Sequence, residues 1–135
     1  MSLLYCSRAA AGMDVQAVQA LVAKAQQRNA ALGITGLLVY GSGVFFQWLE
    51  GPREVVLQLM AGIHTDPRHS HVTEVSRHDE LPERLFPAWG MELVSPGELK
   101  EVITDAIAAA GDSPRVAALQ ALLARVEVAR LAGLG

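Results

Sequence analysis

The stretch Gly33–Gly51, GITGLLVYGSGVFFQWLEG, reads as two strands joined by a tight Gly-Ser-Gly turn at residues 41–43. The first arm, Ile34 to Tyr40, is almost continuously apolar, the pattern of a strand covered on both faces. The second arm sets one amide, Gln47, among Val44, Phe45, Phe46, Trp48 and Leu49. Burying an unpaired amide costs roughly 1–3 kcal/mol, so Gln47 must hydrogen-bond to something. What it bonds to is the functional question.

Upstream, Ser2 to Ser7 reads as a short strand with Leu3, Tyr5 and Ser7 on one face and Leu4 and Cys6 on the other. Arg8 to Gly12 is expected to be a loop, and Asp14 an N-cap. The helix after it runs to about Asn29, with Val15, Val18, Leu21, Val22 and Ala25 at helical spacing. Asn29 lies four residues after Ala25 and so continues the inward stripe; Gly33 supplies the exit. Downstream, Pro52 opens a second helix with Val55, Val56, Leu59, Met60 and Ile63 on its apolar side, ended by Asp66-Pro67. Arg68 to His71 is expected to form a basic loop, Val72 to Arg77 a weak edge strand, and Asp79 to Pro87 an ordered loop. Trp89 to Val94 completes the set as a strand with Trp89, Met91 and Leu93 on one face.

This order is α+β: the ferredoxin-like βαββαβ arrangement with one additional strand. Its first and third strands are central neighbours, which puts Tyr5 beside Gln47, and Asn29 comes from the helix above them. Three hydrogen-bonding groups converging in an apolar slot describe a ligand site better than a plain core. Residues 1–95 are expected to form this sheet domain and 96–135 a separate helical pair. Ser95-Pro96-Gly97-Glu98 is a capping box, followed by Leu99, Val102, Ile103, Ala106 and Ile107 at helical spacing. After Gly111, Ser113-Pro114 caps a helix carrying Val116, Leu119, Leu123 and Val126. With both core helices on one sheet face, Leu4, Phe46 and Trp48 on the other need a cover, in cis or from a second copy.

The 135 residues suffice for one domain core, although many of the 51% hydrophobic residues are alanines. A net charge of −3 argues against an electrostatic grip on nucleic acid or an anionic membrane. The single cysteine, Cys6, excludes an intrachain disulfide and fits a reducing cytoplasm; it is expected to be a buried small side chain. The N-terminus lacks the apolar core of a signal peptide, and no apolar run reaches membrane-spanning length. Enzymatic machinery is not evident: there is no glycine-rich phosphate loop after the first strand and no Gly-x-Ser-x-Gly elbow. Of the four histidines, His69-x-His71 is the tightest pair, better read with Arg68 as a solvated turn than as a metal site. Residue types alone also allow Tyr5 as core with its hydroxyl at the rim, Gln47 paired to backbone and Asn29 as a helix cap. They lead as far as a ferredoxin-like domain with a polar-lined pocket.

Five pieces in order extend further: LLYCS at Tyr5, QQRNAALGITGLLVY at Asn29, GVFFQWLEG at Gln47, DPRHSHV at Arg68 and LFPAWGMELV at Trp89 and Met91. Together, over about residues 2–95, they closely resemble the BLUF family of flavin-using blue-light sensor domains. The resemblance implies noncovalent flavin, FAD with FMN tolerated, held between the two core helices. It implies that Tyr5 is the photochemical electron and proton donor, that Gln47 relays between this phenol and the flavin N5/O4 edge, and that Asn29 anchors the ring's polar edge. Met91 and Trp89 belong to the last strand, which rearranges with the glutamine, and Lys24, Arg28 and Arg68 neighbour the flavin tail or phosphate. Ala25 stands where some relatives place a hydroxyl residue, so flavin binding or recovery kinetics are expected to differ. No cyclase or phosphodiesterase follows within the sequence, so output is expected through residues 96–132, as a change of homo-oligomer or of a downstream protein partner. The alternatives are a relative without chromophore serving as a dimerisation or adaptor module, and an acylphosphatase-type enzyme. Joint retention of Tyr5, Asn29 and Gln47 weighs against the former, and the missing phosphate loop against the latter.

Overall fold

The computed structural model describes residues 1–41, 43–80, 84–113 and 115–131. The chain runs β1 (Ser2–Ala9), α1 (Val15–Leu32), β2 (Thr35–Gly41), β3 (Val44–Glu50), α2 (Arg53–Thr65), β4 (His69–His78), β5 (Glu92–Val94), α3 (Leu99–Ala110) and α4 (Arg115–Leu131). The strands form one sheet in the order β4-β1-β3-β2-β5. Antiparallel pairing joins β4 to β1, β1 to β3 and β3 to β2, while β5 lies parallel to β2 as the additional strand. The α+β, ferredoxin-like architecture expected from the sequence is therefore present.

Local chemistry sets the element ends. The Asp14 carboxylate accepts the Ala17 N–H at 2.8 Å and opens α1, and Gly33, at φ 72°, closes it. Between β2 and β3 the backbones approach closely at Gly36, where a Cβ would lie 1.8 Å from the Trp48 carbonyl oxygen. Only glycine fits there. The turn at 41–43 includes Ser42, and the loop after Asp79 includes Leu81, Pro82 and Glu83, all outside the described residues.

Alternation along the strands sorts the side chains into two cores. On one face Leu3, Tyr5, Leu38, Phe45 and Leu49 meet Val18 and Val22 of α1 and Val56, Met60 and Ile63 of α2. On the other, Leu4, Phe46 and Trp48 meet Leu99 and Ile103 of α3 and Leu119, Leu122 and Val126 of α4. The second face is thus covered in cis. The reciprocal bonds of the expected capping box form, Glu98 N–H to Ser95 Oγ at 3.3 Å and Ser95 N–H to Glu98 Oε1 at 3.4 Å, but they close a turn, and α3 begins only at Leu99 with Glu98 as its N-cap. Before α4, Ser113 Oγ accepts the Arg115 N–H at 3.2 Å; Pro114 lies outside the described residues.

Several expectations need correction. β1 continues through Arg8 and Ala9, expected to be loop, because Arg8 pairs with Val44 and Ala9 with His69. α1 extends three residues beyond Asn29, and Val15, placed on its apolar stripe, is 65% exposed in the first turn. β4 begins at His69 rather than Val72, so the expected basic loop is largely strand; it is an edge strand, as anticipated, with register shifts against β1. The last strand is only Glu92–Val94, and Trp89, Met91 and Leu93 do not share a face. Met91 lies in the α1/α2 core, Trp89 packs against the α3/α4 core, and Leu93 is about one-third exposed, at 37%. Hydrogen bonds bend this segment away from strand geometry: the Trp89 carbonyl takes the Gly36 N–H at 2.9 Å, and Met91 sits at φ 146°.

Glu50, at the end of β3, holds the chain that leads into this segment. Its buried carboxylate accepts the Leu85 N–H at 2.7 Å, the Phe86 N–H at 2.8 Å and the Trp48 indole N–H at 3.2 Å. Burial pushes its pKa up, and the three donors oppose that shift. Glu50→Ala strands these donors at roughly 1–3 kcal/mol each, so the denaturant midpoint should fall markedly; an unchanged midpoint would show that Glu50 does not fasten the loop.

Candidate functional site

Tyr5 of β1 and Gln47 of β3 are directly opposed across the antiparallel pair. Tyr5 is fully buried and Gln47 nearly so. The Tyr5 hydroxyl donates to Gln47 Oε1, and Gln47 Nε2 donates to the Met91 thioether at 3.2 Å. The first bond satisfies the phenol and the amide oxygen; the second gives the amide nitrogen a weak, polarisable acceptor. Burial pushes the Tyr5 pKa well above its ordinary value, with the Arg28 guanidinium partly opposing. The phenol therefore stays protonated across the physiological range.

Asn29 comes down from α1, fully buried. Its Nδ2 donates to the Gly90 carbonyl at 3.0 Å, and its Oδ1 accepts from Arg28 Nε at 3.4 Å. One turn earlier on α1, Gln26 Nε2 donates to the Met91 carbonyl at 2.8 Å. The site residues Tyr5, Asn29, Gln47 and Met91 thus converge, with Met91 arriving from a bent segment rather than a strand. Trp89 does not join them: its ring stacks on Phe86, centroids 5.2 Å apart and planes 20° apart, towards α3 and α4.

Between α1 and α2 two adjoining clefts share Arg28, Ile63 and Asp66. The inner one, about 60 Å³, reaches Tyr5 and Gln47 past Leu38 and Lys24. The outer one, about 380 Å³, is walled by Leu32, Val55 and Leu59. Clefts of roughly 300–1,000 Å³ with apolar walls and a few polar groups suit a cofactor. The outer cleft has that size, and the smaller inner one brings Leu21, Val22 and Ile63 together with the Gln47 amide and the Tyr5 hydroxyl, an apolar slot with polar groups at its inner end. Of the cations expected near a flavin tail, exposed Lys24 lines the inner cleft and Arg28 lines both. Arg68 also borders the inner cleft, but its guanidinium is paired with Asp66, Nη2 to Oδ2 at 2.6 Å. That hydrogen bonding holds the Asp66 carboxyl at about 2, well below the usual carboxylate range.

Besides Gln26, two residues at the site were not anticipated, His69 and Ser7. His69, expected in a solvated turn, is half-buried: its Nδ1 lies 2.8 Å from Ser7 Oγ, and its ring tilts against Phe45 at 5.0 Å and Tyr5 at 6.3 Å. Desolvation pulls its pKa down, so the imidazole is held towards the neutral form. Ser7 shares the face of Tyr5 by alternation, which was the sequence signal for a polar partner there. His71, its supposed companion, instead points to Ser70 at 3.1 Å. Among the described residues no group of three or more histidine, cysteine or acidic side chains is disposed to hold a metal, and no helix is long and apolar enough to cross a membrane.

Known proteins resemble this chain in sequence and in overall fold. The family model of BLUF, sensors of blue-light using FAD, matches residues 1–92. The photoactivated adenylate cyclase subunit beta of Euglena longa is 40% identical over 87 residues, 64% of this chain and 10% of that protein. The chain therefore spans about a tenth of the length of that relative. Among solved structures, the dark state of the BLUF protein BlrB superposes with a TM-score of 0.71 at 31% identity, covering 93% of this chain and 95% of that one. Klebsiella pneumoniae BlrP1, solved with FMN and cyclic diGMP, gives a TM-score of 0.63 at 34% identity over 73% of this chain and 26% of its own. The chain belongs to the BLUF family, the sensors of blue light that use FAD.

Proposed function

We propose that this chain binds FAD, or FMN in its place, between α1 and α2 and switches by proton-coupled electron transfer from Tyr5 with rearrangement of Gln47. The observation that carries this reading is the buried chain of hydrogen bonds from the Tyr5 hydroxyl through Gln47 to Met91. A flavin, when bound, supplies a light-driven oxidant. Tyr5 suits the donor role because its phenol, desolvated and protonated, gives up an electron most readily together with its proton, leaving no buried charge. Gln47 Oε1 already faces that proton. The amide carries a donor and an acceptor, so its rotation or tautomerisation exchanges what it presents to Tyr5, to Met91 and to the cleft. Asn29 fixes the closed end of the site, and Lys24, Arg28 and Arg68 lie where a phosphorylated tail would leave it.

Met91 carries the change outward. A rearranged Gln47 withdraws its N–H from the thioether, and the segment from Trp89 to Met91 then loses one tie to the sheet. Trp89 and Phe86 belong to the core shared with α3 and α4, so displacement of this segment is felt under the helical pair. Residues 1–95 would sense and 96–135 would report, through a changed homo-oligomer or the affinity of a downstream protein partner in the cytoplasm. Equal mass and equal partner affinity in light and dark would remove this output route.

Absorbance of the flavin-loaded protein before and after blue light tests the switch. A small, reversible red shift is expected; flavin bands that do not shift would contradict it. In Tyr5→Phe flavin binding should persist and the reversible response be lost, and a normal shift would refute the donor role. Gln47→Leu should remain yellow and lack the wild-type light-state spectrum; retention of that spectrum would refute the relay.

A further inference from the structure

Met91 is one of two non-glycine residues described at positive φ, at 146°, where L side chains are rarely found. A backbone held there needs fastening by its surroundings. Two amides of α1, one helical turn apart, grip consecutive carbonyls of this segment: Asn29 holds Gly90 at 3.0 Å and Gln26 holds Met91 itself at 2.8 Å. Asn29 is buried in the site, whereas Gln26 is an exposed residue whose bond to Met91 is only partly buried. Its side chain has no part in the apolar core, so its reach to the Met91 carbonyl is its contribution here.

We infer that Gln26 is a positioning residue for the switch: by donating to the Met91 carbonyl it holds the Met91 thioether against Gln47 in the dark state. This rests on the proposed part of Met91 in the switch, while the grip itself is a hydrogen bond of the structure. Release of this single bond frees the residue that Gln47 contacts without touching the Tyr5–Gln47 pair. A net hydrogen bond of ordinary strength shifts such an equilibrium about fivefold.

The test is NMR of the flavin-loaded protein carrying 13C-methyl methionine, in the dark, with the Met91 resonance assigned by Met91→Leu among the four methionines. Gln26→Leu and Gln26→Glu both remove the donor, and each should shift or split the Met91 resonance, raising the displaced form about fivefold over wild type. Gln26→Lys restores an N–H donor of similar reach and should return the wild-type signal. A Met91 resonance unchanged in both donorless variants overturns the inference, as does failure of Gln26→Lys to rescue, which would make the role one of shape rather than donation. Wild-type protein without a reversible light shift would defeat the photoswitch instead, leaving the dark Met91 signal to decide the grip.

Discussion

The hydrogen bond between the Tyr5 hydroxyl and Gln47 Oε1 is the constraint on which the site depends. Two polar side chains sit almost fully buried at the inner end of the cleft, where an unmade hydrogen bond is costly. They satisfy one another only because β1 and β3 pair in the register that sets Tyr5 opposite Gln47. A slip of one residue between β1 and β3 would put Tyr5 and Gln47 on opposite faces of the sheet and strand each of them. The amide nitrogen of Gln47 donates to a thioether, a weaker acceptor than an oxygen. One end of the glutamine is therefore held firmly and the other lightly, a suitable asymmetry for a group that is to change its partners.

β3 joins the two sides of the sheet. Gln47 points into the cleft side, while its neighbours Phe46 and Trp48 point into the core beneath α3 and α4. The chain from Leu85 to Val94 makes the same connection in space: Phe86 and Trp89 lie on the helical side, Met91 on the cleft side, and β5 then joins the sheet edge. Glu50 ties the beginning of that chain to the end of β3, and its bond from the Trp48 indole makes the tie part of the same core. A close-packed interior transmits a side-chain displacement of this kind rather than absorbing it.

Much of this was legible in the sequence because period and punctuation carry it. The hairpin, the Asp14 and Gly33 ends of α1, the inward aim of Asn29 and the pairing of Tyr5 with Gln47 all follow from alternation, helical spacing and strand order. What the sequence hid was set by long-range hydrogen bonds. Trp89-Gly90-Met91 looks like strand, but the Gly36 N–H and the Asn29 and Gln26 amides take its carbonyls and bend it, so Trp89 and Met91 face opposite cores. His69 looked like turn because its burial comes from Ser7, Phe45 and Tyr5, distant in sequence. Glu50 carried no local sign that its partners would be backbone N–H groups 35 and 36 residues later.

Light-minus-dark infrared difference spectroscopy of the flavin-loaded protein, with glutamine selectively labelled by isotope, addresses the central claim most directly. The proposed switch predicts glutamine amide bands that appear on illumination, move with the label and vanish in Gln47→Leu. Difference bands insensitive to the glutamine label, in a protein that nevertheless shows the reversible visible shift, would contradict the account and place the switching group elsewhere than Gln47.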